Sequence, residues 1–350
     1  MSRRDDRSGG RRPLAAILGC SGRALGGPEK AFFRDADPLG FILFARNCAA
    51  PDQLRRLVDA LRNCVGRADA PILIDQEGGR VARLGPPRWR KPPPAAAFAR
   101  LAGADKAAAI EAARLNARLI AADLHELGLT LDCAPVLDVP QPGSHAVIGD
   151  RALGSNPALV AALGRAVCEG LLDGGVLPVI KHIPGHGRAL ADSHKTLPVV
   201  GAARADLEAV DFAPFKALRD MPWAMTAHVC YAALDRRAPA TTSKTVIRRV
   251  IRGTIGFDGV LVSDDLSMSA LGGGVGERAR AALAAGCDVV LHCNGVRAEM
   301  EAVAAYASPL DGAAQARLGR AEAMRAPPKP LERNGAFARL RLLMEGVVVP

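Results

Sequence analysis

Residues 177–187 read LPVIKHIPGHG: an apolar run that ends in Lys181 and His182 and gives way to a loop holding Pro184, Gly185, His186 and Gly187. A short apolar run bounded by turn residues is the pattern of a strand buried on both faces. The same pattern recurs at AAILG (15–19), GFILF (40–44), PILID (71–75), LTLDC (129–133), WAMTA (223–227), GVLVS (259–263) and DVVLH (288–292). Between these eight candidate strands, helices are expected over 51–65, 105–127, 157–173, 202–220, 241–253 and 277–285. In the longest of them Ala108, Ala112, Leu115, Leu119 and Ala122 recur at spacings of three and four, which puts an apolar stripe on one face.

Strands alternating with amphipathic helices make an α/β chain with a parallel sheet, and eight repeats predict a closed (β/α)8 TIM barrel. An open doubly wound sheet is the alternative, but no G-x-G-x-x-G follows the first run. The 350 residues fit one such barrel, assigned to 13–350 behind a disordered basic tail over 1–12. That tail holds five arginines against two aspartates, so it carries part of the net charge of +10. No long basic run follows and aromatic residues are 4% of the chain, which argues against nucleic-acid binding.

The eight cysteines show no C-x-x-C pair, as expected of reduced thiols in a cytoplasmic protein. Arg11 and Arg12 followed by LAAILGC imitate a short export signal, but the apolar run Leu14 to Leu18 is shorter than the roughly 7–15 residues such a signal uses. The segment reads instead as the first core strand. No stretch reaches the roughly 20 apolar residues of a membrane span.

A barrel gathers its reactive groups where the strands end and the βα loops begin. Seven of the eight runs, the second to the eighth, meet that demand, leading into Arg46 and Asn47, Asp75 and Glu77, Asp138 and Arg151, Lys181 and His182, His228, Asp264, and Asn294. KHIPGHG allows two readings. His182 and His186 stand four apart, as zinc ligands on a helix do, but Pro184 and the glycines oppose a helix and no H-E-x-x-H glutamate is present. Alternatively, Lys181, one of eight lysines, donates with His182 to sugar hydroxyls or a carbonyl, unless it simply reaches to water. Gly185 and Gly187 imply a loop that can move, and that loop carries Asp192 and His194. If the stretch is extended, both side chains point the same way, and the carboxylate can orient the imidazole for acid/base work.

GVLVSDDLSM (259–268) ends a strand in two carboxylates. Alternation sends Asp264 into the barrel mouth as a nucleophile or as the partner of a cationic transition state, and leaves Asp265 to cap the next helix; a structural ion pair is the plainer alternative. Asp75, Arg80 and Arg83 in IDQEGGRVARL (74–84), with Arg151 in IGDRALG (148–154), can fix hydroxyls or a carboxylate.

Taken together, DQEGGRVAR, IGDRALG, KHIPGHG, ADSH and SDDLSM resemble the family 3 glycoside hydrolases, in particular their single-domain β-N-acetylhexosaminidases, from about Leu14 to Asn294. The resemblance implies Asp264 as nucleophile, His194 as acid/base oriented by Asp192, and Asp75, Arg83, Arg151, Lys181 and His182 as holders of N-acetylglucosamine. It also implies a muropeptide-derived carbohydrate substrate in cell-wall recycling. Ile183 departs from the family's usual phenylalanine. No cofactor or metal is expected, and a monomer without membrane or nucleic-acid partners. A phosphorylase using the same residues, a family β-glucosidase and a non-catalytic sugar sensor are the competing readings. Beyond about Pro309 no motif is placed.

Overall fold

The computed structural model describes residues 12–347, so the expected tail over 1–12 lies outside them except for Arg12. All eight expected strands form: β1 (Leu14–Gly19), β2 (Pro38–Leu43), β3 (Ile72–Ile74), β4 (Leu131–Asp132), β5 (Leu177–Ile183), β6 (Trp223–Thr226), β7 (Val260–Asp265) and β8 (Val289–His292). Each pairs in parallel with its neighbours in sequence, and β8 closes onto β1 with Ala16 opposite Val290 and Leu18 opposite His292. The result is a closed eight-stranded (β/α)8 barrel. The run read as a signal-like segment is β1, fully built into it.

Strand alternation divides the core in two. Ile17, Ile42, Leu73, Val179, Val262 and Leu291 fill the barrel interior. Leu18, Phe41, Ile72, Ile180 and Leu261 face outward and pack beneath the helices. Both sets are buried, which is why the strands read as continuous apolar runs.

The helices Pro51–Val65 and Pro157–Asp173 match the expected bounds, Lys106–Glu126 falls within the expected 105–127 with Asp105 as its cap, and Val275–Ala285 starts two residues early. Two expected helices change form. The segment 202–220 breaks into Arg204–Asp206, a π turn at Leu207–Asp211 and Ala213–Ala217. Pro214 lacks the N–H and crowds the carbonyl four residues back, so the regular ladder cannot pass through. The segment 241–253 shifts to a π-type stretch at Val246–Ile255 behind a 3-10 turn at Ala240–Thr242, because Ser243 accepts the Val246 N–H and starts the helix there. Five further helices were not anticipated: Gly27–Ala36, Ala95–Ala104, Arg297–Tyr306, Gly312–Ala323 and Arg333–Leu343. Gly312–Ala323 closes the bottom of the barrel. Its Ala314, Leu318 and Ala321 pack with Trp223, Leu177 and Leu39 near the strand starts, while Arg317 pairs with Asp288 at 2.9 Å and Arg320 with Asp258 at 2.8 Å.

Candidate active site

On the opposite face, the ends of β2 to β8 and their loops feed one pocket of about 360 Å³. Asp75, Arg83, Arg151, Lys181, His182, Asp192, His194 and Asp264, the eight residues singled out in the sequence, all line it. Ile42, Phe44, Met225 and Leu291 add apolar wall.

One side of the pocket is a dense ionic cluster. Lys181, 2% exposed at the end of β5, donates to Asp75 at 2.8 Å and pairs with Glu77 at 2.7 Å. Residues 76–82 fold back as a small hairpin, Gln76–Gly78 against Val81–Ala82, and return Arg83 to Asp75 at 2.8 Å. Arg151 grips Glu77 with two hydrogen bonds of 2.8 Å. Burial opposes charge on Asp75, yet Lys181 and Arg83 outweigh it and hold the carboxyl well below the usual range. Burial likewise opposes charge on Lys181, and Asp75 and Glu77 reverse it, so the ammonium is firmly retained. The lysine does not reach to water. Glu77 was legible as a strand-end acid, but its role as the carboxylate shared by Lys181 and Arg151 is visible only in three dimensions.

His182 is set by a second buried acid. Asp138 Oδ2 lies 2.6 Å from His182 Nδ1, and Asp138 Oδ1 accepts the main-chain N–H of His186 at 2.6 Å. Burial would raise the Asp138 carboxyl, but His182 and His186 hold it below its ordinary value. With Nδ1 engaged, the other ring nitrogen of His182 is the one that faces ligand. Two histidines alone do not make up the zinc site that the sequence allowed as one reading. Among the described residues no group of three or more His, Cys, Asp or Glu is arranged to hold a metal ion.

Asp264 sits half-buried at the end of β7. Burial would raise its carboxyl, but His228, His182, the Asp265 N–H and Lys181 outweigh it and keep it below the ordinary carboxylate range. Behind it runs a closed circuit. Asp264 N–H donates to Thr226 Oγ1 (3.3 Å), Thr226 and Thr241 hydroxyls lie 2.8 Å apart, Thr241 Oγ1 is 2.7 Å from His228 Nδ1, and His228 Nε2 is 3.0 Å from the Asp265 carbonyl. A carbonyl can only accept, so His228 carries its proton on Nε2, and Thr241 donates to Nδ1. Burial lowers the His228 pKa, in keeping with the neutral ring this circuit requires. The circuit therefore starts on the Asp264 N–H and ends on the carbonyl of the next residue, Asp265. Asp265 does not cap a helix as expected; it accepts Ser267 N–H and Cys293 N–H, both at 3.1 Å, and ties the turn after β7 to the end of β8.

The Asp192–His194 pair forms, with Nδ1 2.8 Å from the carboxylate, but not from an extended stretch. Asp192 Oδ1 also accepts the His194 N–H at 2.9 Å, so a tight turn brings the side chains together. Burial would raise the Asp192 carboxyl, and these bonds from His194 hold it low. The imidazole is 63% exposed. Gly185 and Gly187 also differ from expectation. A Cβ on Gly187 would lie 2.1 Å from the Val139 carbonyl oxygen, and one on Gly185 2.9 Å from Asp211 Cβ. Both glycines permit close packing of the loop root, which is buried, and so do not mark a place of freedom.

An acid flanked by histidines, a histidine–aspartate pair and a fixed cationic and anionic wall thus meet in one pocket. Residues 31–323 match the glycosyl hydrolase family 3 N-terminal domain. The chain belongs to that family. It is a glycoside hydrolase. A β-hexosaminidase of Alkalilimnicola ehrlichii is 42% identical over 282 residues, 79% of this chain and 80% of that one. One from Aromatoleum aromaticum is 37% identical over 347 residues, covering 96% of each. Among solved structures, NagZ from Neisseria gonorrhoeae in complex with N-trifluoroacetyl-D-glucosamine is similar with a TM-score of 0.83 at 34% identity, over 96% of this chain and 98% of that one. The family 3 match ends with the helix that closes the barrel floor, and leaves the helix Arg333–Leu343 beyond it.

Proposed function

We propose that this family 3 enzyme is a retaining exo-β-N-acetylglucosaminidase that removes a terminal non-reducing N-acetylglucosamine. The carrying observation is that Asp264, the Asp192–His194 pair and the sugar-holding set Asp75, Arg83, Arg151, Lys181 and His182 line one pocket. Its volume of about 360 Å³ lies near the lower end of the roughly 300–1,000 Å³ usual for ligand sites, which favours one sugar unit and therefore action at a chain end. The N-acetylated ligand class of the Neisseria protein and the β-hexosaminidase relatives support the choice of sugar.

In the first step the Asp264 carboxylate attacks the anomeric carbon. The C–O bond to the leaving group breaks, and His194, oriented through Nδ1 by Asp192, gives its proton to the departing oxygen. The product is a glycosyl ester on Asp264. In the second step His194 takes a proton from water, whose oxygen attacks the same carbon from the face the leaving group left, and Asp264 is restored. Two inversions retain configuration. The low pKa of Asp264 keeps it anionic and ready to attack at neutral pH. A neutral base in place of a second carboxylate also avoids like-charge repulsion beside it.

The physiological substrate we infer, from the family resemblance, is N-acetylglucosamine linked to 1,6-anhydro-N-acetylmuramic acid in muropeptides of peptidoglycan recycling, handled by a monomer in the cytoplasm. Eight free cysteines support a reducing compartment. Among the described residues no helix is long and apolar enough to cross a membrane.

The test is nitrophenol release from the 4-nitrophenyl β-N-acetylglucosaminide and from the β-glucoside, with and without phosphate. Hydrolysis of the first alone, indifferent to phosphate and abolished by Asp264→Ala, is expected. Formation of the sugar 1-phosphate would make the enzyme a phosphorylase, and activity surviving Asp264→Ala would remove the nucleophile assigned here.

A further inference from the structure

KHIPGHG contains a second histidine for which the proposed chemistry has no task. His186 is 3% exposed, and its main-chain N–H is fixed by Asp138, the same carboxylate that sets His182. Its ring points the other way, toward the acid/base segment, with Nε2 3.1 Å from Ser193 Oγ. Ser193 lies between Asp192 and His194, yet is 3% exposed where the His194 imidazole is 63% exposed. Its carbonyl accepts the N–H of Ala270, on the loop that follows Asp264, at 3.2 Å. Among the described residues, the hydrogen bonds that tie 190–197 to the rest of the pocket all run through Ser193.

We propose that His186 and Ser193 form a latch that holds the Asp192–His194 turn in its working orientation, making His186 a positioning residue for the acid/base group. The inference rests on the assignment of His194 above. Anchoring the middle residue of a tight turn sets the direction of the side chains before and after it, so the latch fixes where the imidazole stands over the pocket. Its bond partners specify the proton as well. His186 Nδ1 is buried without a partner, and a bare ring nitrogen is tolerated there better than an orphaned N–H, so the proton sits on Nε2 and is donated to Ser193. Burial lowers the His186 pKa to about 4, which keeps the ring neutral and the latch closed through neutral pH. The far end of the latch is rigid because Asp138 also holds His182. Sugar-binding and proton-delivering halves of the pocket thus share one carboxylate as their common reference point.

A latch of this kind affects proton delivery and leaves sugar binding alone. The experiment compares kcat/KM on phenyl and 2,4-dinitrophenyl β-N-acetylglucosaminides, the first needing a proton on its leaving group and the second not, together with inhibition by N-acetylglucosamine. Ser193→Ala and His186→Ala are expected to lower the phenyl value by roughly 10- to 100-fold and to change the dinitrophenyl value and the inhibition constant by less than about 3-fold. His186→Gln, which keeps a donor on a side chain of similar reach, should recover part of the loss. Added to His194→Ala, neither substitution should cost anything further on the phenyl substrate. Equal losses on both substrates, weakened inhibition by N-acetylglucosamine, or full additivity with His194→Ala would overturn the latch. Ser193→Ala removes a single oxygen, so it reports even if His186→Ala unfolds the enzyme. If His194→Ala costs activity and the latch variants do not, the latch alone fails; if His194→Ala leaves phenyl hydrolysis intact, the acid/base assignment fails and takes the latch with it.

Discussion

The two groups proposed to react are held in opposite ways. Asp264 stands at the end of a barrel strand, backed by a circuit of buried hydrogen bonds through Thr226, Thr241 and His228. His194 projects from a turn whose imidazole is 63% exposed, and its neighbours are secured through Ser193. The proposed nucleophile belongs to the core and the proposed proton carrier to the surface. The chemistry explains the split. A nucleophile must meet one carbon along one line, which favours a scaffold that tolerates no drift. An acid/base group has to meet a leaving oxygen in one step and a water in the next, with products departing between them, so its support must admit traffic.

Substitutions at the two groups should therefore separate activity from stability. The largest effect is expected from Asp264→Ala, a loss of roughly 10⁴-fold or more in kcat on the 4-nitrophenyl substrate, since no other carboxylate at the strand ends is free of an ion-pair or structural role. His194→Ala should cost roughly 10²- to 10⁴-fold on a poor leaving group. Its melting temperature should stay close to wild type, because the exposed ring supports nothing beneath it. A large fall in thermal stability on losing His194 would break the comparison, for it would mean that the loop is part of the core after all.

Thr241→Val sharpens the same contrast from the other side. The valine has nearly the same shape but cannot donate to His228 Nδ1 or accept from Thr226. Leaving buried polar atoms unpaired costs about 1–3 kcal/mol, to be read from urea unfolding. Activity should fall as well, although Thr241 does not line the pocket, because the circuit ends on the Asp264 N–H and the Asp265 carbonyl. Unchanged stability would mean that the circuit is incidental.

The barrel and the eight pocket residues were legible in the sequence because both are written locally. A strand buried on two faces must be an apolar run, and a reactive side chain at its end must interrupt that run. What was not legible depended on distance or on packing. Gly185 and Gly187 looked like sources of mobility until Val139 and Asp211 were found against them. The helix Gly312–Ala323 carries a weak apolar stripe whose partner, Trp223, lies ninety residues earlier, so nothing nearby in the chain marks it as the plug of the barrel floor. Thr241 gave no signal at all, since a threonine at a helix start is ordinary until a buried histidine points at it.

A last effect, confined to pH dependence, is the most particular to the rigid half. Asp132 closes β4 behind the ionic cluster, 0% exposed, with Oδ1 accepting the Gln76 N–H at 2.9 Å and Oδ2 unpartnered. Burial pushes its pKa to about 7, against the pull of the Gln76 N–H and of Lys181 and with the push of Asp75 and Glu77. Its folded value is raised above that of the unfolded chain, about 3.9. Between these values the folded protein binds a proton that the unfolded chain has released, so this group's contribution to stability is complete below about pH 4 and is lost as pH rises toward 7. Asp75 and Asp138, held low, act the other way and below that window, losing their contribution as pH falls through their folded values. His186, held near 4, and Asp211, raised to about 6, also titrate in or near the window, so the informative quantity is the difference between wild type and Asp132→Asn. Asparagine keeps the oxygen that accepts from Gln76 and cannot ionise. The variant should match wild type near pH 4.5 and exceed it by roughly 1–3 kcal/mol at pH 8, measured by urea unfolding across the range. Parallel curves at every pH would mean that Asp132 is already ionised at pH 4.5, and that the ionic cluster in front of it carries one more compensated negative charge than its bonds account for.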